Sequence, residues 1–149
     1  MPTRRNYRRS YRRNYPRHGS DVLCDNFRCK RGVRTALREL RHKKPWRGTI
    51  PERVANLQAL HLALCEVYGL KTRLTIIPRD CDSGGSNYRP GEDRITLIGR
   101  LSVVTYLHEF AHALGRDEWG ACRWSLNLFR RIFRRSFASC HFEGHMLIR

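Results

Sequence analysis

The sequence lacks any apolar run near the roughly 18–20 residues that a helix needs to cross a bilayer. It also lacks acid before Asp21, and it has only four lysines against 26 arginines. Each shortage narrows the field. Without a long apolar run, no membrane-spanning helix is expected. Residues 1–20 contain no apolar stretch either, so a secretory signal is not expected. The only bulky apolar side chains there are tyrosines, too few for the apolar helix face of a mitochondrial presequence. A cytoplasmic setting follows as the expectation, and with it reduced thiols for the six cysteines. The excess of arginine over lysine favours planar, bidentate contacts to phosphate or carboxylate groups.

What is present is 149 residues with a formal net charge of +17 and 40% hydrophobic content. That length suits one domain with a real core, plus a tail. The charge divides unevenly. Residues 4–15 read Arg-Arg-Asn-Tyr, Arg-Arg-Ser-Tyr, Arg-Arg-Asn-Tyr, a tetrapeptide repeated three times. The segment has almost nothing to bury, and its charges repel one another, so residues 1–20 are expected to form a disordered arm. Guanidinium pairs at Arg4, Arg5, Arg8, Arg9, Arg12 and Arg13, interleaved with aromatic rings, suit nucleic-acid phosphates and unpaired bases, or an acidic protein surface. A solubilising extension is the plainer alternative. Residues 21–149 are expected to form a single folded domain that still carries net positive charge.

Within that domain, Val33, Ala36, Leu37 and Leu40 recur at helical spacing until Lys44-Pro45. Thr49-Ile50-Pro51-Glu52 opens a second helix, with Val54, Leu57, Leu60, Leu64 and Val67 on one face and Gly69 closing it. His61 lies beside that stripe and reads as a packed or surface histidine. From Leu70 the period shortens to two, which predicts a strand ending at Pro78. A short strand near Asn87-Tyr88 and another over 95–98 are expected next. Ser102 is placed to cap a third helix ending at Gly115, and Trp119 to Phe133 mark a fourth. Cys24 and Cys29 form a C-x4-C pair, which reads as two thiols because zinc ribbons use closer spacing and a second pair.

The third helix carries the chemistry. It contains His108-Glu109-Phe110-Ala111-His112, an H-E-x-x-H sequence. Residues four apart share one helix face, so both imidazoles can reach one ion. Glu109 is displaced around the helix and can sit against a polarised water.

His108 through Gly115 resembles the zincin metallopeptidases, a likeness that spans about residues 70–135. The metzincin branch continues H-E-x-x-H-x-x-G-x-x-H, with Asp last in snapalysin-like enzymes. This chain has Gly115 in the turn position and Glu118 at the third-ligand position. The gluzincin branch takes its third ligand from a Glu on the following helix, which Glu118 would open. Residues 118–125 also resemble the E-x-x-A-N-x-F-A segment of ImmA/IrrE-type peptidases, with Cys122 in place of the Asn and a shorter gap from His112. The resemblance implies an α+β, minimal zincin-like fold: a short twisted sheet, an active-site helix and flanking helices. It implies Zn2+ held by His108, His112 and Glu118, with Asp117, His141 and His145 as alternatives to Glu118. Glu109 would be the general base of peptide-bond hydrolysis, acting on a peptide or protein substrate. Tyr88, Arg94 and His145 are candidates for a second electrophile, and the strand at 94–98 is expected to offer an edge to an extended peptide. A second function stays open: a basic, nucleic-acid-associated protein whose zincin core binds metal without catalysis.

Overall fold

A computed structural model describes residues 15–80 and 85–149. The expected arm therefore falls mostly outside the described residues, including Arg4, Arg5, Arg8, Arg9, Arg12 and Arg13. Residues 15–20 are described, and they pack against the body: Pro16 is fully buried, and the Gly19 amide donates to the Gly144 carbonyl at 2.8 Å.

The fold is α+β. Helix α1 (Arg31–His42) buries Val33, Ala36, Leu37 and Leu40, the four positions its sequence pattern marks. Helix α2 (Ile50–Tyr68) begins at a reciprocal cap, in which Thr49 Oγ1 accepts from the Glu52 amide and the Glu52 carboxylate accepts from the Thr49 amide. It ends at Gly69, whose φ of +64° suits a residue without a Cβ.

Three strands follow. β1 (Arg73–Pro78) runs parallel to β3 (Arg94–Gly99), and β2 (Asn87–Arg89) lies antiparallel on the other side of β3. Asp93, at the β2–β3 turn, accepts from the hydroxyls of Thr72 and Tyr88 at 2.8 and 3.0 Å. This order corrects one expectation. Residues 94–98 do not offer an edge, because β3 is the central strand and both its sides are paired. Apolar alternation reports which face of a strand is buried, not which side lacks a neighbour. The open edges belong to β1 and β2.

β3 leads into helix α3 (Val103–Ala113), capped by Ser102 Oγ, which accepts from the Thr105 amide at 3.2 Å. A short turn through Gly115 (φ +86°) then starts helix α4 (Glu118–Ile132). The two helices share the centre of the core, where Phe110 of α3 stacks on Trp124 of α4 with centroids 5.9 Å apart. A short helix α5 (Arg134–Ala138) and a hairpin of β4 (His141–Glu143) and β5 (Met146–Ile148) complete the chain. The sequence pattern carries no expectation of this hairpin. No helix among the described residues is long and apolar enough to cross a membrane.

Two polar side chains are built into this packing. His61, 5% exposed, donates from Nε2 to the Thr72 carbonyl at 2.7 Å, since a carbonyl only accepts. Its Nδ1 therefore carries a lone pair and accepts from the Tyr106 hydroxyl at 2.8 Å. Burial lowers its pKa from the usual 6.5, against the pull of the Thr72 carbonyl and Asp93. Because the folded protein disfavours the charged ring, the unfolded chain binds more protons below pH 6.5. Stability from this group is full above that pH and is lost as pH falls below it. An NMR titration should show the His61 ring with a midpoint below 6.5; a midpoint at or above that value would contradict this packing.

Asn127, 2% exposed, ties the N-terminal segment to α4. Its side-chain amide donates to the carbonyls of Val22 and Arg123, at 2.9 and 2.7 Å, and its oxygen accepts from the Cys24 amide at 2.8 Å. Replacing it strands an amide and a carbonyl without partners. Asn127→Ala should lower the unfolding free energy by about 2 kcal/mol, measured by urea denaturation.

Candidate metal centre

Helix α3 places His108 and His112 one turn apart, so their rings meet above one face, with centroids 4.8 Å apart. The next helix supplies a carboxylate at the same point. Asp117 caps α4, its Oδ1 accepting from the Gly120 amide at 2.8 Å. That cap sets the first turn of α4 with Glu118 directed inward. Glu118 Oε2 lies 2.9 Å from His108 Nε2, and Oε1 lies 3.1 Å from His112 Nε2. The two Nε2 atoms are 3.2 Å apart.

Three donor atoms thus converge from two elements. Ligands held tetrahedrally at roughly 2.0–2.1 Å from one cation stand about 3.3–3.4 Å apart, close to this spacing. The donor set, two imidazoles and a carboxylate, also suits a borderline cation such as Zn2+. Among the described residues this is the group able to hold a metal ion.

The outer nitrogens of both rings are occupied. His112 Nδ1 lies 2.8 Å from the Arg116 carbonyl, so it carries a proton and donates. His108 Nδ1 lies 3.8 Å from Cys122 Sγ, a weak contact. These partners direct each Nε2 towards the shared point. Glu118 is buried, which alone would raise its pKa, but hydrogen bonds from both imidazoles hold it well below the usual carboxylate range. For His112, burial would lower the pKa, yet the Glu118 carboxylate and the Arg116 carbonyl push it up.

Glu109 stands apart from the three. It is 9% exposed and lies close to the backbone of Tyr88 on β2. Burial raises its pKa, opposed in part by His108 and His112. Tyr88 lies on β2, whose side away from β3 is an open edge of the sheet. Glu109 therefore sits where α3 meets the open edge of the sheet.

The remaining sequence candidates lie elsewhere. Asp117 is a helix cap. His141 pairs with Glu143 on the hairpin at 3.2 Å. The Tyr88 hydroxyl is committed to Asp93, and Arg94 donates to Thr75 Oγ1 at 2.7 Å on the sheet. His145 packs against the Tyr15 ring, with centroids 4.5 Å apart. Two neighbours of the site were missed. Tyr15 lies near Glu118, whose charge adds to burial in raising the phenol pKa, and Cys122 stands beside His108. Cys122 was within reach of helical arithmetic, being one turn beyond Glu118 on α4. Tyr15 gave no such signal, because its repeat assigned it to the arm.

No protein-family model, curated protein or solved structure matches this chain.

Burial, reinforced by Glu118, raises the Cys122 thiol to about 12. In the folded protein at pH 8, Cys122 should stay unmodified by iodoacetamide, as read by peptide mass spectrometry, and should react once the chain is unfolded.

Proposed function

We propose that this chain is a zinc-dependent peptidase, with His108, His112 and Glu118 as metal ligands and Glu109 as general base. The observation that carries the reading is Glu109: a buried carboxylate beside the donor triad but outside it. A structural metal site has no need of such a group. A hydrolytic site needs a proton acceptor near the ion that is not itself a ligand.

Zn2+ bound at the triad would act as a Lewis acid and lower the pKa of water towards about 7. The chain's own groups divide the remaining work. The Arg116 carbonyl and the Cys122 thiol hold the two imidazoles with Nε2 directed inward. Glu109 stands at the boundary between helix and sheet, close to the Tyr88 backbone. From there its carboxylate takes the proton of the attacking water and returns it to the departing amine. The outer edge of β2 passes the same carboxylate, so an extended peptide added to that edge would run alongside the general base. The arginine-rich segment at 4–13 is the part we assign to docking on nucleic acid or an acidic protein.

Zinc content and hydrolysis of a mixed peptide pool should be measured for wild type, Glu109→Gln and His108→Ala. Wild type should carry zinc at about one ion per chain and cleave peptides. Glu109→Gln should retain zinc while hydrolysis falls by about 10²–10⁴-fold, and His108→Ala should lose both. A wild type that takes up no zinc, or a Glu109→Gln variant that still hydrolyses, would overturn the proposal.

A further inference from the structure

At the end of α4 opposite Glu118, three arginines come together around one cavity. Arg130 and Arg131 of α4 and Arg134 of α5 line it, with Asp25 from the segment before α1, and Phe27 and Phe137 add apolar wall. Its volume is about 330 Å³, at the small end of the roughly 300–1,000 Å³ of ordinary small-molecule sites. The fold accounts for only part of this charge. The Arg131 guanidinium donates to the Phe27 carbonyl and so ties the segment before α1 to α4. Capping does not call for the other two, because the carbonyl of Ile132, the last residue of α4, already accepts from Arg41 Nη1 at 3.0 Å. Arg130 Nη2 lies 3.1 Å from Asp25 Oδ1, but that carboxylate is 97% exposed, so the pair is weak and exchangeable. Arg134 is exposed at the first position of α5, where a cation gains nothing from the helix dipole.

From this arrangement we infer that the cavity binds the terminal phosphate of a nucleotide, with the phosphate among Arg130, Arg131 and Arg134 and the base against Phe27 and Phe137. Three guanidinium groups and one carboxylate leave two positive charges at the cavity. A phosphate monoester carries about two negative charges at neutral pH, and a phosphate inside a strand carries about one. The balance therefore favours the monoester. The planar guanidinium fork matches phosphate oxygens in pairs, and a phosphate replaces Asp25 on Arg130 at little cost. Phe27 is buried and Phe137 half-buried, so the cavity offers ring surface suited to a base as well as charge. The volume admits one nucleotide unit and not a length of strand. A free nucleotide and the 5′-phosphorylated end of a strand present the same chemistry. The inference is independent of the metal-site reading.

The test titrates the full chain by calorimetry, with a chelator present so that no metal takes part. The ligands are adenosine 5′-monophosphate, adenosine and inorganic phosphate. The nucleotide should bind about tenfold or more tightly than either fragment. Arg134→Gln and Arg130→Gln should each weaken nucleotide binding by about tenfold or more, with the far-UV circular dichroism unchanged. Asp25→Asn should tighten it, and Arg89→Gln on β2 should leave it as in wild type. A nucleotide bound no better than adenosine or than inorganic phosphate would overturn the inference. So would wild-type affinity in Arg134→Gln, or an equal loss in Arg89→Gln, which would reduce the effect to overall charge. A short deoxyoligonucleotide with and without a 5′-phosphate distinguishes the two sources. A gain from that phosphate that Arg134→Gln abolishes assigns the cavity to strand ends, and no gain alongside nucleotide binding assigns it to free nucleotides.

Discussion

The packing of α3 against α4 is the constraint on which the candidate centre depends. Phe110 and Trp124 stack between the two helices, and both are almost wholly removed from water. Burying aromatic side chains of this size contributes several kcal/mol in ordinary cores, about 3–5 by truncation to alanine. That contact fixes how the helices face each other. The turn through Gly115 and the Asp117 cap then determine which residue of α4 first points back at α3. It is Glu118. The donor triad is therefore a consequence of core packing plus one cap, with no long loop needed to deliver the third group.

The same arrangement explains why Glu109 is kept separate. One residue beyond His108, it is rotated about 100° around α3, away from α4 and towards the sheet. There it lies close to the Tyr88 backbone on β2. The helix thus presents ligands on the side facing α4 and a lone carboxylate on the side facing the sheet.

Much of this was legible in the sequence where the signal is local. The helix start at residues 49–52, the Gly69 terminus and the inward face of α1 rest on spacing within one or two helical turns, and they appear as read. The H-E-x-x-H spacing likewise placed both imidazoles on one helix face. Asp117 shows the limit of that reading: sequence offered it as an alternative ligand, and the structure makes it the cap of α4. Strand order is less local still. Nothing in the residues at 94–98 reveals that β1 and β2 flank them, so the expected edge strand turned out to be central. The C-terminal hairpin was missed because its strands are three residues each, too short for alternation to register.

Tyr15 marks a different kind of limit. Composition assigns it to the arm, since it closes the third Arg-Arg-x-Tyr unit and no acid precedes it. Yet a boundary drawn by composition records where burial of the average residue stops offsetting chain entropy. A single residue can be ordered beyond that point if its neighbours are tethered independently. Pro16, Gly19 and Val22 provide the tethers, and Asn127 and the hairpin receive them. Held by that fixed backbone, the Tyr15 ring needs only its own two side-chain torsions restricted to lie against His145. The entropic cost of the contact is small, because ordering of the segment is already offset by burial elsewhere. That is why a residue with the sequence character of a tail can be ordered against the folded body.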